Sequence, residues 1–205
     1  MTKRGRLFLI TAPSGAGKTS LVRELLSRHP NLRFSISYTT RPKRPNEVEG
    51  CDYHFVDETE FARMREAGAF LEHACVFDYC YGTARQSVQT ELARGHDLLL
   101  EIDWQGAAQI RAAMPEAVSI FILPPSRAEL ERRLRSRATD NEAVIQRRLR
   151  DAVGDMSHWC EFGYVVVNDD FERALAELAE ILAGRGAASR ATRAGLQAQV
   201  TALLA

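Results

Sequence analysis

The sequence has no excess of either charge: Lys plus Arg and Asp plus Glu each total 27 among 205 residues. Such a chain has no net field to draw it as a whole onto nucleic acid, although a local basic pocket is still allowed. Long apolar runs are missing as well. No stretch approaches the ~20 residues that a membrane helix needs. Behind the basic start, Met1 to Arg6, the apolar segment is only Leu7 to Ile10, too short for a signal peptide. Cysteine is scarce: Cys51, Cys75, Cys80 and Cys160 form no Cys-x-x-Cys pair, and no His spacing beside them reads as a zinc site. A disulfide staple is not expected in a chain of this size, so reduced thiols and a cytoplasmic protein are the expectation. Repeats and low-complexity tracts are absent too. What is left, 45% hydrophobic and 26% charged residues, is the balance of a globular domain with a well-buried core.

Five short apolar runs read as strands buried on both faces: Leu7–Thr11, Phe34–Tyr38, Leu98–Ile102, Val118–Leu123 and Tyr164–Val167. Continuous Leu/Ile/Val runs suit a parallel sheet covered by helices. Between them lie helical patterns. Leu21, Val22, Leu25 and Leu26 make an apolar stripe ended by His29-Pro30, and Ser126 with Glu129 makes a capping box ahead of Leu130 and Leu134. Strands alternating with helices predict an α/β, doubly wound parallel sheet of about five strands. Two stretches break the rhythm. Residues 37–87 hold Arg41-Pro42, Arg44-Pro45 and four tyrosines, and read as an inserted substrate subdomain. Residues 126–157 carry many arginines on helical patterns without a strand, and read as a lid. The core is then 1–36, 88–125 and 158–205, all one domain, with an Ala/Arg-rich peripheral helix from Gly184 onward.

Between the first strand and first helix lies Ala12-Pro13-Ser14-Gly15-Ala16-Gly17-Lys18-Thr19. Small residues let backbone N–H groups curl around an anion, and the helix N-terminus adds its partial positive charge. In such a phosphate loop Lys18 reaches the β- and γ-phosphates of a nucleoside triphosphate, and the Thr19 hydroxyl ligates Mg²⁺. The first position is Ala12 rather than Gly, which is tolerable where its φ is negative. A chance Gly-x-Gly-Lys-[Ser/Thr] occurs on the order of once per hundred chains this long, and the strand before and helix after make accident rarer still.

The run Ser35-Ile36-Ser37-Tyr38-Thr39-Thr40-Arg41-Pro42-Lys43-Arg44-Pro45-Asn46-Glu47-Val48-Glu49-Gly50-Cys51-Asp52-Tyr53 resembles the GMP-binding signature of the guanylate kinase family. So do Phe70-Leu71-Glu72-His73-Ala74, Tyr81-Gly82-Thr83, Glu101-Ile102-Asp103-Trp104-Gln105-Gly106, Ile122-Leu123-Pro124-Pro125-Ser126 and Val167-Asn168-Asp169-Asp170. The resemblance covers about residues 7 to 182. It implies a P-loop nucleoside monophosphate kinase that converts ATP and GMP into ADP and GDP, with Mg²⁺ beside ATP. It places Arg41, Arg44, Tyr53 and Tyr81 on the GMP phosphate, and Ser37, Glu72, Thr83 and Asp103 around guanine and its ribose. It brings Arg137 and Arg148 from the lid to the ATP phosphates beside Lys18, and sets Asn168 near adenine. The partners it implies are the two nucleotides, with neither nucleic acid nor membrane; the oligomeric state stays open between monomer and homo-oligomer.

The chemistry stands without the resemblance. An Arg fork and phenolic hydroxyls suit a nucleotide monophosphate. Guanine offers N1–H and N2–H₂ donors to a carboxylate such as Glu72, whereas adenine would leave that carboxylate unpaired. Taken singly, Arg41 and Arg44 read as solvated charges, and Tyr53 and Tyr81 as packing residues. Asp103 stands out at a strand's carboxyl end, where ligands gather in open α/β sheets. Either Glu101 or Asp103 fits the role of orienting metal-bound water. Two rivals are a non-enzymatic scaffold domain of the same fold, against which Gly15, Gly17, Lys18 and Thr19 argue, and a kinase of another phosphorylated ribose compound, which would not need Glu72 and Thr83 together.

Overall fold

The computed structural model describes residues 4–76, 78–136 and 142–204. The first half of the chain runs β1 (Leu7–Thr11), α1 (Lys18–Arg28), β2 (Leu32–Phe34), β3 (Tyr38–Thr39), β4 (His54–Phe55), α2 (Glu58–Glu66), β5 (Phe70–Val76), β6 (Tyr79–Ala84), α3 (Arg85–Ala93) and β7 (Asp97–Glu101). It continues through α4 (Trp104–Ala113), β8 (Val118–Leu123), α5 (Arg127–Ser136), α6 (Glu142–Met156), β9 (Tyr164–Val167), α7 (Phe171–Leu182) and α8 (Leu196–Leu204). A five-stranded sheet has the order β2-β7-β1-β8-β9, with parallel pairing at both β2–β7 and β8–β9. All five residues of β1 are buried, as a strand covered on both faces must be. A second, four-stranded sheet has the order β4-β3-β6-β5.

The expected strand Phe34–Tyr38 is divided between the two sheets. β2 ends at Phe34, Ser35 N still donates to Leu99 O (3.0 Å), and Tyr38 opens β3 opposite Gly82. The sequence Phe-Ser-Ile-Ser-Tyr alternates apolar and polar residues, so nothing in its hydropathy marks the place where the ladder changes partner. The strand expected at Leu98–Ile102 is shifted one residue earlier at both ends: Asp97 pairs with Leu32 of β2, and its carboxylate accepts from Arg6 N (2.7 Å) and from the Arg6 guanidinium (2.5 Å).

Two compact units divide the chain, one made of residues 1–9 and 30–117, the other of residues 10–29 and 118–205. In the first, α3 packs on β7 and α4 on β5. The second sheet has its own aromatic contacts, with Phe70 4.6 Å from Phe61 and 5.9 Å from Tyr38 between ring centroids. β5 and β6 form an antiparallel hairpin in which Cys75 lies opposite Cys80, and these two are joined by a disulfide. This corrects the expectation of four reduced thiols. The pair has no Cys-x-x-Cys spacing; the hairpin brings the two sulfurs together.

In the second unit α1 packs against α7 through Leu21, Val22 and Leu25, and Arg28 grips Glu172 with two hydrogen bonds of 2.9 Å. Asp170 caps α7 by accepting from Arg173 N (2.8 Å). Ser126 Oγ accepts from Glu129 N (3.1 Å), half of the expected capping box; the Glu129 carboxylate turns instead to Arg132 and Arg133 (2.7 Å each). The tail is packed rather than loosely attached. Arg193 donates to Val165 O (2.7 Å), Arg190 lies over the Tyr164 ring and bridges to it, and Leu196, Val200 and Leu203 of α8 are buried. The Arg190 and Arg193 contacts lie along β9, an edge strand of the sheet, while α8 packs against α6. Among the described residues, no helix is long and apolar enough to cross a membrane.

Candidate functional site

The expected phosphate loop sits between β1 and α1 in the second unit. Its turn is closed by Ala16 N donating to Pro13 O (3.2 Å). Gly15 and Gly17 have φ of 91° and 93°, the left-handed region that side chains resist. A Cβ on Gly17 would lie 2.4 Å from Asn168 Nδ2, so this glycine is required twice over. Ala12 is not among the residues of positive φ; Asp78 is the one non-glycine of that kind among the described residues. The Gly-to-Ala departure at the head of the loop is therefore without backbone cost. Lys18 and Thr19 take the first two positions of α1.

The loop is held from outside by two side chains. Asn168, 5% exposed, donates from Nδ2 to Ala16 O (2.7 Å). Arg133 on α5 donates to the same carbonyl (3.3 Å) and to Asn168 O (3.0 Å), and is itself fixed by Glu129 at 2.7 Å. Asn168, expected beside adenine, thus has its amide committed to the phosphate loop. Arg133 is one of the many arginines of 126–157 to which the sequence assigns no role of its own; its signal is the Glu129 four residues earlier. Glu129 is pulled down to about 2 by its hydrogen bonds to Arg132 and Arg133. Of the two arginines expected from the lid, Arg148 is half-buried on α6 and Arg137 lies outside the described residues.

In the first unit, the second sheet gathers most of the other expected residues. Glu72 on β5 is 3% exposed and accepts a 2.6 Å hydrogen bond from the Thr83 hydroxyl on β6, its ladder partner. Burial raises the Glu72 carboxyl; the Thr83 bond opposes that and the Asp103 charge adds to it, leaving it at about 7. Asp103 caps α4, accepting from Gly106 N at 2.7 Å. A Cβ on Gly106 would fall 2.4 Å from Glu72 Oε2 and 3.3 Å from Asp103 Oδ1. The missing side chain is what lets the two carboxylates stand together at the first turn of α4. Ser37 lies between β2 and β3, its carbonyl accepting from His54 N (2.9 Å).

A cationic group lies on the same sheet. The Arg41 side chain, 10% exposed, donates to Glu47 (2.6 Å) and its guanidinium lies 5.4 Å from the Tyr53 ring centroid. Burial acts to lower the Arg41 pKa, but Glu47 and then Tyr81 outweigh it and hold the group above its ordinary value. Tyr53 and Tyr81 meet edge to face at 5.9 Å. Burial, with the charge of Glu101 next, pushes the Tyr53 phenol up to about 12, so it is a hydrogen-bond donor at neutral pH. Arg44 is largely exposed, while its backbone N donates to Glu47 (2.8 Å). Glu47 is the second residue that the sequence reading left without a role: it draws Arg41 and Arg44 together. Chemically this unit offers a paired-carboxylate wall for N–H donors, and an Arg/Tyr group for an anion.

The guanylate kinase family model matches residues 4–185. The chain is 57% identical over 181 residues to the guanylate kinase of Nitrosococcus oceani, covering 88% of this chain and 89% of that one. It is 57% identical over 179 residues to the guanylate kinase of Methylococcus capsulatus, covering 87% and 88%. Among solved structures, the crystal structure of guanylate kinase from Anaplasma phagocytophilum matches with a TM-score of 0.74 and 35% identity, covering 97% of this chain and 94% of that one. With a phosphate loop in one unit and a guarded carboxylate pair in the other, the chain belongs to the guanylate kinase family.

Proposed function

We propose that this protein transfers the γ-phosphoryl group of ATP directly to GMP, giving ADP and GDP without a phosphoenzyme. The observation that carries the choice of acceptor is the buried Glu72, hydrogen-bonded by Thr83 and standing beside Asp103. A purine with N1–H and N2–H₂ satisfies that wall; adenine leaves a desolvated carboxylate facing an acceptor. Arg41, Arg44, Tyr53 and Tyr81 bind the GMP phosphate, with Ser37 and Thr83 completing the nucleoside contacts.

A phosphate oxygen is already nucleophilic, so the residues need no strong general base; they position and neutralise. Backbone N–H groups within residues 12–19 hold the ATP phosphates. Lys18 stabilises charge on the transferring group, with Arg148 and Arg137 in the same role. Thr19 supplies one hydroxyl for Mg²⁺, and among the described residues no group of three or more His, Cys, Asp or Glu is placed to hold a metal. That donor set fits a cation carried mainly by phosphate oxygens and water. When bound, Mg²⁺ neutralises charge on the β- and γ-phosphates. Residues 37–87 serve as the acceptor subdomain and 126–157 as the lid that excludes water.

A coupled assay offering ATP with GMP, dGMP, AMP or ribose bisphosphate tests the reading. ADP formation with GMP and little with AMP is the expected result. Preference for AMP or ribose bisphosphate would overturn the acceptor assignment, and no turnover with any of them would favour the scaffold reading.

A further inference from the structure

The Cys75–Cys80 disulfide crosslinks the hairpin that carries the acceptor residues. Cys80 precedes Tyr81, and Cys75 lies three residues beyond Glu72. The ladder from the disulfide runs Ala74↔Tyr81, His73↔Gly82, Glu72↔Thr83, so the crosslink fixes the register of each acceptor residue on the hairpin. Its influence extends to β3. Cys80 O accepts from the Thr39 hydroxyl (3.1 Å) and from Thr40 N (3.0 Å), while Cys80 N donates to Thr40 Oγ1 (2.9 Å). Thr39 Oγ1 in turn accepts from Arg41 N (3.1 Å). One cysteine backbone therefore ties the hairpin to the segment that presents Arg41.

We propose that Cys75 and Cys80 form a reversible thiol–disulfide site, opened by a dithiol reductant, whose state sets how tightly the hairpin holds GMP. The proposal rests on the reading that this sheet binds GMP. Cys75 is exposed, which gives a thiolate access to its sulfur. Attack there breaks the S–S bond and releases Cys80 as a thiolate, which takes a proton from solvent. The second thiolate of the dithiol then attacks the mixed disulfide, freeing Cys75 and leaving the reductant oxidised. Two electrons and two protons reach the protein, and no other reactant is consumed. With the crosslink in place the hairpin has less freedom to lose on binding; with it open, ordering costs more and GMP binds less tightly.

The test uses the whole chain, oxidised with glutathione disulfide or reduced with dithiothreitol. Thiol titration is expected to give two reactive groups in the oxidised form, the exposed Cys51 and Cys160, and four after reduction. Reduction is expected to raise the GMP KM roughly threefold to tenfold, leave the ATP KM nearly unchanged, and speed amide exchange over residues 79–83. C75S/C80S is expected to show the reduced behaviour with or without dithiothreitol, while C51S/C160S keeps the response. Equal GMP KM in the two states of an active enzyme overturns the switch alone, as does a redox response that survives in C75S/C80S. Failure to phosphorylate GMP in either state overturns the acceptor assignment, and this proposal with it.

Discussion

Thr83 donates its hydroxyl hydrogen to Glu72 Oε1 at 2.6 Å, within a wall that leaves Glu72 3% exposed. A carboxylate so desolvated is costly unless it gains partners. Thr83 supplies one, and in the proposed complex the purine supplies the rest. Glu72→Gln keeps the shape but presents an amide, half of which is a donor facing donors. The kcat/KM for GMP is expected to fall about a hundredfold or more with the ATP KM unchanged. A steady-state assay varying each nucleotide in turn checks it, and near-wild-type GMP kinetics would remove Glu72 from recognition.

The same carboxyl makes binding depend on pH. Its folded-state value of about 7 lies above the ordinary 4.5, so between these values the folded chain holds a proton that the unfolded chain has released. Stability from this group is thus fully present below about 4.5 and is lost as pH rises through about 7, on the order of 3 kcal/mol in all. In the proposed complex the ionised form accepts from guanine, so GMP affinity is expected to move the other way, weakening as pH falls below about 7. Calorimetric titration of GMP between pH 5.5 and 8.5 measures the slope, and Glu72→Gln should flatten it.

Gly106 offers a steric test of the same wall. An added Cβ would lie 2.4 Å from Glu72 Oε2, so Gly106→Ala must displace that carboxylate. Alanine suits a helix, so the backbone itself is not the cost. The GMP KM is expected to rise about tenfold while Tm falls by only a few degrees. A collapse in Tm would mean that the glycine serves packing first.

On the phosphate side, Asn168→Ala removes the 2.7 Å bond to Ala16 O and leaves a buried carbonyl with only the longer contact from Arg133. A stability loss of about 1–2 kcal/mol is expected, together with a several-fold rise in the ATP KM and no change in the GMP KM. Denaturant unfolding and nucleotide titrations give the two numbers. A change confined to the GMP KM would contradict the role in the loop.

The strands Leu7–Thr11, Val118–Leu123 and Tyr164–Val167 were legible in the sequence because a strand buried on both faces writes an unbroken apolar run. The phosphate loop was legible because its glycines and its strand-helix setting are local. What escaped was non-local. Phe34–Tyr38 alternates evenly, and only tertiary pairing divides it between two sheets. Arg133, Glu47 and the Cys75–Cys80 pair acquire their roles from a partner brought by the fold, and a lone Arg or Glu in a sequence looks like any solvated charge. Asn168 shows the limit of a resemblance, which names a segment near a ligand without saying what each side chain in it grips.

Lys18 separates loop architecture from chemistry. It opens α1 directly after Gly17, and the loop's own fastening comes from Asn168, Arg133 and the Ala16–Pro13 turn rather than from this side chain alone. Lys18→Ala should therefore leave the fold intact, with Tm near that of the wild type. Phosphoryl transfer, in contrast, spreads charge over the γ-phosphate oxygens and loses a preorganised cation, so kcat is expected to fall by several orders of magnitude. On the proposed mechanism, in which closure on the acceptor keeps water out, wild-type enzyme should consume ATP far faster with GMP present than without it. Single-turnover transfer to GMP, measured beside circular dichroism, distinguishes the outcomes: retained transfer in Lys18→Ala removes the lysine from catalysis, and equal ATP consumption with and without GMP in the wild type removes the closure.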